Sequence, residues 1–441
     1  MPSTAAESAR VSIEREADVV VVGAGIVGCA SAYFLARRGV RVVVVERGAL
    51  PGEQSRKNWG FVRQQGRDPS EMPLVMEANR MWRGLERELG ADLEWVAGGN
   101  LALAADEARM ARFEAWLPVA REFGLETRLL RARDLTAVVP GLGGTWAGGM
   151  HTPGDGHADP EKATDAFARG ARAHGATLHL ECAVQRVTTR AGAVSGVVTE
   201  RGEVRAPWVV CAAGAWSSRL ARTLGVRLPQ RWVRGTVART TPAPAVTACA
   251  VWGPGVAFRQ RRDGAFTIAA GGALDHDVTL DSLRQLRFFL PNFWKNKALF
   301  RFHVGRPLLA SLAAALPGSA ARRQPLVWDR DLEPQPNPVK VSRSLAELQR
   351  VLPALPPLGI ARRWAGYIDA APDLVPVLGE VAQRKGLMLA TGFSGHGFAM
   401  GPIAGRLVSE MIVDGKPSLD LSAFRFSRFE EGAIGRPRNV L

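Results

Sequence analysis

The chain has 441 residues, is 46% hydrophobic and carries a formal charge of +15. That length exceeds one ordinary core and predicts two domains; no apolar run is long enough to cross a bilayer, and residues 1–16 do not read as a secretory signal. Cys29, Cys182, Cys211 and Cys249 lie far apart with no zinc or iron–sulfur spacing, so no metal is expected, and reduced core cysteines fit a cytoplasmic chain. Only seven of the 57 basic residues are lysine, and the arginines are spread out, so the charge reads as compositional bias and no nucleic-acid function is expected.

After Asp18 the four valines at 19–22 predict a buried strand. Gly23, Gly25 and Gly28 follow in the spacing G-x-G-x-x-G, with Ile26 and Val27 opening a helix over 26–38 that stops at Gly39. A second valine run at 42–45 ends in Glu46 and Arg47. This is the strand–turn–helix–strand order of an adenine dinucleotide site. The first glycine permits the turn, the second lets backbone approach a pyrophosphate, and the third lets helix pack on strand. The helix N-terminus faces the phosphates, and Glu46 stands where a carboxylate accepts from a ribose hydroxyl, favouring FAD or NAD over NADP.

Residues 52–68 read as a polar loop, 72–89 as an amphipathic helix, 94–104 as a strand and 107–123 as a helix, with a short helix at 133–140. The stretch 141–159 holds His151, Asp155, His157 and Asp159 without regular ligand spacing. Asp159 and Pro160 read instead as N-cap and first residue of a helix over 161–174. Strands are expected at 176–187, 194–199 and 203–213, short strands over 231–268, and a helix at 282–290. A strand at 387–390, a glycine-rich loop at 391–397 and a helix to 413 close the chain.

Four segments then carry a resemblance across nearly the whole length: GAGIVG at 23–28, VVCAAGAWS at 209–217, WAGYIDAAPDLVPVLG at 364–379 and TGFSGHGFAMGP at 391–402. In this order they resemble the FAD-dependent amine and D-amino acid oxidoreductase family, which includes glycine oxidase, sarcosine oxidase, D-amino acid dehydrogenase and opine oxidase catalytic subunits. The segment 56–69, RKNWGFVRQQGRDP, is most similar to the amino-acid and opine dehydrogenase branch.

The resemblance implies an α/β fold: a Rossmann-like FAD-binding domain over 17–90, 156–230 and 360–441, and an inserted α+β substrate domain on an antiparallel sheet over 91–155 and 231–359. It implies FAD contacts at Gly23, Gly25, Ile26, Val27, Gly28, Glu46, Arg47, Asn58, Trp59, Gly60, Val184, Ala213, Gly214, Trp216, Gly392, Phe393, Ser394, Gly395, His396 and Gly397. It also implies oxidation of the C–N bond of an amino acid, opine or secondary amine to an imine by hydride transfer to flavin N5, with hydrolysis following. The covalent-attachment cysteine of some members is missing around Gly366, so FAD is expected to be non-covalent. The carboxylate-clamping arginine of the third segment is replaced by Ile368 and Asp369, and Ala399 stands where some members have lysine.

Candidate catalytic residues are Arg63, Tyr367, Asp369 and His396. Arg63 is either a substrate anchor or a surface arginine; Tyr367 either holds substrate or packs; Asp369 either faces an amine or caps a turn. His396 is expected to contact flavin. An RNA-modifying flavoprotein and an NAD-dependent dehydrogenase remain alternative classes. Between Asp281 and Asp329 no acid occurs, while eight basic residues and Phe288, Phe289, Phe293, Trp294, Phe300 and Phe302 do. Residues 282–328 therefore read either as a docking face for an electron-acceptor subunit or the inner membrane surface, or as a cap on the substrate domain.

Overall fold

The computed structural model describes residues 12–271, 274–296, 300–327 and 333–438, with backbone alone at 293–296 and 300. The valine runs form adjacent parallel strands, Val19–Val22 and Val42–Val45, and all eight side chains are buried. β-Branched residues covered on both faces are what a parallel sheet requires. The sheet has six strands in the order Val377–Glu380, Leu387–Thr391, Trp208–Cys211, Val19–Val22, Val42–Val45 and Thr177–His179. Only Val377–Glu380 runs antiparallel.

The helix Ile26–Ala36 follows the first strand, and the helix Gly397–Val413 follows Leu387–Thr391. These two helices lie against one another because Gly401 and Gly405 leave no side chain between them: a Cβ on Gly405 would stand 2.5 Å from the Ala30 carbonyl carbon, and one on Gly401 2.8 Å from Ile26. Each helix follows a strand of one parallel sheet, so both start at its carboxyl edge, where open α/β sheets bind ligands.

The second large sheet has ten strands. Its spine is the strand Arg231–Pro242. Ile360–Ala370 pairs antiparallel along one edge, from Arg231–Ala370 to Thr240–Ile360. Ala265–Ala269 and Leu274–Asp277 follow one another along the other edge, through Val237–Ala269 and Arg234–Asp275. Ala257–Gln260, Ala250–Trp252, Asn100–Ala104, Gly148–Thr152 and Arg128–Arg131 continue it, mostly antiparallel. The fold is thus α/β with an antiparallel-rich sheet facing the carboxyl edge of a Rossmann-like one.

Several expected elements differ in extent. The strand expected at 94–104 begins only at Asn100, because Gly98 lies against the Ala248 carbonyl, where a Cβ would stand 1.9 Å away, and Gly99 takes φ +80°. The polar loop at 52–68 contains the helix Glu53–Lys57 and the short strand Phe61–Val62, paired with Gly156–His157. The strand expected at 203–213 is two strands in different sheets, Gly202–Arg205 and Trp208–Cys211, with Pro207 between them. Likewise 176–187 divides into Thr177–His179 on the parallel sheet and Val184–Arg190 in a three-stranded hairpin sheet. The helix at 282–290 is two, Leu280–Arg284 with a Thr279–Ser282 capping box and Leu286–Asn296. Asp159 caps its helix as expected, its carboxylate accepting from Lys162 N at 2.9 Å.

Candidate active site

One cavity of about 1040 Å³ runs along the carboxyl edge of the parallel sheet and under the large sheet. At one end its wall is Gly23, Gly25, Ile26, Val27, Glu46, Arg47, Val184, Ala213, Gly214 and Trp216, all expected from the sequence. Gly23 needs its glycine, having φ +105° and the Ala212 carbonyl 2.5 Å from where a Cβ would lie. Glu46 is oriented by two backbone donors, Ala24 N and Gly48 N, each at 2.8 Å. The Arg47 guanidinium lies 3.8 Å from the centre of the Trp216 ring. Ile26 N, the first free amide of the helix, donates to Ser55 Oγ at 2.8 Å. Ser55 escaped the sequence reading because nothing local ties the helix 53–57 to the first glycine turn.

Gly28, Gly60 and Gly392, expected as cofactor contacts, do not line the cavity. Gly28 packs on Gly23, whose carbonyl oxygen lies 1.9 Å from an added Cβ, and Gly60 packs on the Ala158 carbonyl at 2.3 Å. Gly392 donates its N–H to Asp369 at 2.8 Å. Their roles are in packing and loop shape.

The other end is formed by the loop Phe393, Ser394, Gly395, His396 and Gly397, with Gln54, Asn58 and Trp59 opposite. Asn58 shapes its own turn, donating to Ser55 O and accepting from Gly60 N, both at 2.8 Å. The Trp59 ring centre lies 4.8 Å from that of Trp252, the two planes tilted by 40°. The loop is tied down by Asp369. Its carboxylate accepts from Gly392 N at 2.8 Å, Gln54 Nε2 at 3.1 Å and Thr391 Oγ1 at 3.3 Å, and its carbonyl accepts from Ser394 N at 3.1 Å. Burial pushes the Asp369 pKa up. The carboxylate is therefore committed to backbone and side-chain donors, and the turn-capping alternative replaces the amine-facing one.

Tyr367 is in the cavity wall as well. Side chains alternate across the strand Ile360–Ala370, and Tyr367 takes the face of its cross-strand partner Arg234, opposite to Ile368. Its ring lies 4.9 Å from Trp232, and its pKa is raised to about 12, by burial first and then by Asp277. Tyr367 thus lines the cavity while packing on Trp232, and Ile368, on the other face with Val233 and Gly235, lines it too.

Arg63 is not on the surface. It is 5% exposed, its guanidinium lies 5.2 Å from the Trp252 ring, and Nη1 donates to Gln65 O at 2.7 Å. Arg67 is 3% exposed, and its buried Nη1 has no partner. Burial, together with the Arg63–Arg67 repulsion, lowers the Arg63 pKa well below the ordinary arginine value. Neither makes an ion pair among the described residues. The nearby Asp155 is taken up by Gln64 N at 2.8 Å, Gln64 Nε2 at 3.1 Å and Gln65 N at 3.2 Å. Glu71 accepts from His396 Nδ1 at 3.0 Å. Burial, then Arg67, takes the His396 pKa down to about 4, so the ring is neutral and Nε2 is left as an acceptor. Arg67 sits in the quoted segment 56–69 but was not singled out, since its burial depends on the distant helix Glu107–Glu122: Trp116 Nε1 binds Arg67 O at 2.9 Å.

The residues 282–328 contribute Phe289, Asn292, Phe302 and Leu326 to the cavity wall, as a cap would. The side chains of Phe293, Trp294, Lys295, Lys297 and Phe300, also part of that expectation, lie outside the described residues. No helix among the described residues is long and apolar enough to cross a membrane.

The geometry suits FAD. Two helix N-termini border one elongated cavity; a side chain at Gly25 would meet Ser55 Oγ at 3.0 Å and occupy the approach of a diphosphate. No cysteine is among the lining residues. Comparison with known proteins agrees. The profile of the family described as DAO, FAD dependent oxidoreductase, matches residues 18–411. Mitochondrial sarcosine dehydrogenase of Mus musculus is 25% identical over 96% of this chain and 42% of its own length. The chain thus spans less than half of that relative. D-amino acid dehydrogenase of Bradyrhizobium diazoefficiens is 26% identical over 93% of this chain and 98% of its own. The structure of L-amino acid deaminase from Proteus myxofaciens superposes with a TM-score of 0.88 and 27% identity, covering 95% of this chain and 94% of that one.

Proposed function

The chain belongs to the FAD dependent oxidoreductase (DAO) family, and from that premise we propose that it oxidises the C–N bond of an amine that carries a carboxylate. One observation carries this reading: two buried arginines, Arg63 and Arg67, border the cavity beside the glycine loop and make no ion pair among the described residues, while the nearby Asp155 and Glu71 are taken up by Gln64, Gln65 and His396. A buried cation left unpaired is costly, and a ligand carboxylate relieves that cost. FAD, bound non-covalently, supplies the acceptor for a hydride from the carbon bearing the nitrogen.

The chain's own residues bind, orient and exclude water. With FAD bound, the amides after Ile26, whose own N–H is given to Ser55 Oγ, would hold the diphosphate and Glu46 the adenosine ribose. With FAD bound, the positive end of the helix Gly397–Val413 would favour the negative charge that the cofactor gains on reduction. Asp369 is a positioning residue for that loop. Arg63 and Arg67 take the carboxylate, and neutral His396, held by Glu71, offers Nε2 as an acceptor toward the amine. For this task the chain divides as its sequence suggests. The strands of the parallel sheet fall within 17–90, 156–230 and 360–441, which supports the division; Ile360–Ala370 belongs with the large sheet, so the last boundary is better drawn after Ala370.

The test is spectroscopic. The purified protein should be yellow, and a carboxylate-bearing amine should bleach it anaerobically; a colourless protein that cannot be reconstituted with FAD removes the reading. Reoxidation in air with peroxide then separates an oxidase from a dehydrogenase.

A second reading concerns the cap. Of the ten exposed large apolar residues among those described, eight lie between Leu283 and Leu316, and the helix Arg306–Ala315 buries none of its side chains. With Arg284, Arg287, Arg306, Arg322 and Arg323 in the same acid-free stretch, this face has the composition that an anionic membrane surface attracts. We propose that it docks there, at the inner face of the membrane.

A further inference from the structure

A second, smaller cavity lies outside the one already described and shares no lining residue with it. It is a notch of about 420 Å³ where the helix Ser217–Thr223 and the segment 226–229 meet the two cap helices, Leu280–Arg284 and Leu286–Asn296. Gln285, between the cap helices, fixes its shape: Oε1 accepts from Gln230 N at 2.8 Å, and Nε2 donates to Leu228 O at 3.3 Å. The floor is apolar. Val226 and Leu228 are buried there, and Phe288 packs against the same core cluster.

Four arginines surround this floor: Arg222, Arg227, Arg284 and Arg287. A single carboxylate meets them among the described residues. Asp281 pairs with Arg222 at 2.9 Å and with Arg284 at 3.1 Å. The Arg287 guanidinium lies 4.6 Å from the centre of the Phe288 ring, and neither it nor Arg227 makes an ion pair among the described residues. Four guanidinium groups against one carboxylate leave the notch with positive charge in excess.

That excess asks for an anion, and the planar fork of a guanidinium matches two oxygens of a phosphate. A ligand with one negative charge would leave most of the excess in place; one with two negative charges offsets more of it. The surroundings say what bears the charge. Leu283 and Leu286, next in sequence to Arg284 and Arg287, are exposed, as is Leu290 one helical turn beyond Leu286. A basic notch beside exposed leucines suits the headgroup and the acyl chains of one molecule, whereas a soluble phosphate would leave the leucines in water.

We propose that the notch binds the headgroup of a phospholipid carrying two negative charges, with its phosphate oxygens on Arg222, Arg227, Arg284 and Arg287. This rests on the membrane reading of the cap given above and replaces diffuse attraction at that face with a defined lipid site.

The experiment is flotation of the FAD-loaded protein with two kinds of phosphatidylcholine vesicle. One contains cardiolipin; the other contains phosphatidylglycerol at twice the mole fraction, so that total surface charge is equal. The native protein should bind the cardiolipin vesicles about 10-fold more tightly, the scale of one charge-assisted hydrogen bond. Arg227→Gln with Arg287→Gln should abolish that preference at unchanged FAD content, since neither residue lines the large cavity. Arg227→Lys with Arg287→Lys, which keeps the charge and loses the fork, should retain part of it. Arg322→Gln with Arg323→Gln removes the same charge from the same acid-free stretch outside the notch, and should weaken both vesicles alike while keeping the preference. Equal binding to the two vesicles overturns the lipid site and leaves the membrane reading standing. So does a preference that the Arg322 and Arg323 variant loses as fully as the Arg227 and Arg287 variant. Binding to neither vesicle removes both readings. If, in that case, inorganic phosphate raises the melting temperature of the native protein but not of the Arg227 and Arg287 variant, the notch takes a soluble phosphate ligand and the lipid assignment is overturned.

Discussion

The two ends of the cavity are built on different principles. The nucleotide end is made of backbone: Gly23, Gly25, the first amides of the helix Ile26–Ala36 and a glutamate held by two N–H groups. These lie within 28 residues of chain, and Val184, Ala213, Gly214 and Trp216 close that end from much later in it. The substrate end is made of side chains, Arg63, Arg67, Arg231, Ile368 and His396, delivered by elements hundreds of residues apart. The nucleotide end recognises a fixed cofactor, and its turn leaves no room for a side chain at Gly23 or Gly25. The substrate end keeps the buried charge of Arg63 and Arg67 without an ion pair among the described residues.

The largest effect should come from the nucleotide end. Gly25→Val places a branched side chain where a Cβ already meets Ser55 Oγ at 3.0 Å, in the approach of the diphosphate. The variant should purify without FAD and without activity; a full flavin spectrum would mean that the turn does not carry the diphosphate.

Next comes the substrate end, where binding and stability should move in opposite directions. Arg67→Met should leave FAD content intact and lower kcat/KM for carboxylate substrates by about 100-fold, roughly 2.7 kcal/mol. The same change removes a buried cation with an unpartnered Nη1, so the melting temperature of the substrate-free protein should hold or rise. A fall in both would mark Arg67 as an ordinary structural residue and erase the contrast between the ends.

A smaller effect is expected from pH. Burial depresses His157 to about 3 and His276 and His396 to about 4, below the unfolded value near 6.5. The unfolded chain therefore takes up protons first, and stability that is full above about pH 7 is lost as pH falls from 6.5 toward 4. Asp155, raised to about 6 by burial, works the other way over that window, since its folded form protonates first. His151, also lowered, adds to the histidines, while Asp369, Asp277 and Glu53, also raised, add to Asp155; with the histidines dominant a lower melting temperature is expected at pH 5 than at pH 7, and Asp155→Asn should steepen the fall. A flat profile would contradict the neutral, buried state of these rings.

The smallest effect is at the cap. The native chain should float with anionic vesicles at low salt and release as salt rises, since screening acts over about 8 Å at physiological ionic strength. Leu309→Glu with Leu312→Glu should abolish flotation without changing flavin content. No flotation of the native chain ends the membrane reading, and a second subunit co-purifying in its place would identify the face as a protein interface.

Much of this was legible in the chain itself. A glycine turn between two valine strands is local: steric need at Gly23, close packing at Gly28 and the free amides after Gly25 act within a few residues, so spacing alone predicts strand, turn, helix and ligand. The same holds for the Asp159 cap and the helix Met72–Leu89, whose polar and apolar residues alternate with helical period. Tertiary structure decided the rest. Which neighbours Tyr367 and Ile368 meet depends on the register of Ile360–Ala370 against Arg231–Pro242, and one residue of slip exchanges the two faces. Arg63 resembles any other arginine until the helix Glu107–Glu122 and the large sheet close over it, and Asp369 resembles an amine partner until Gln54, brought from 315 residues away, takes its oxygen. Hydrophobic period and turn chemistry are written along the chain; desolvation, which gives a buried charge its meaning, exists only once distant segments have excluded the water.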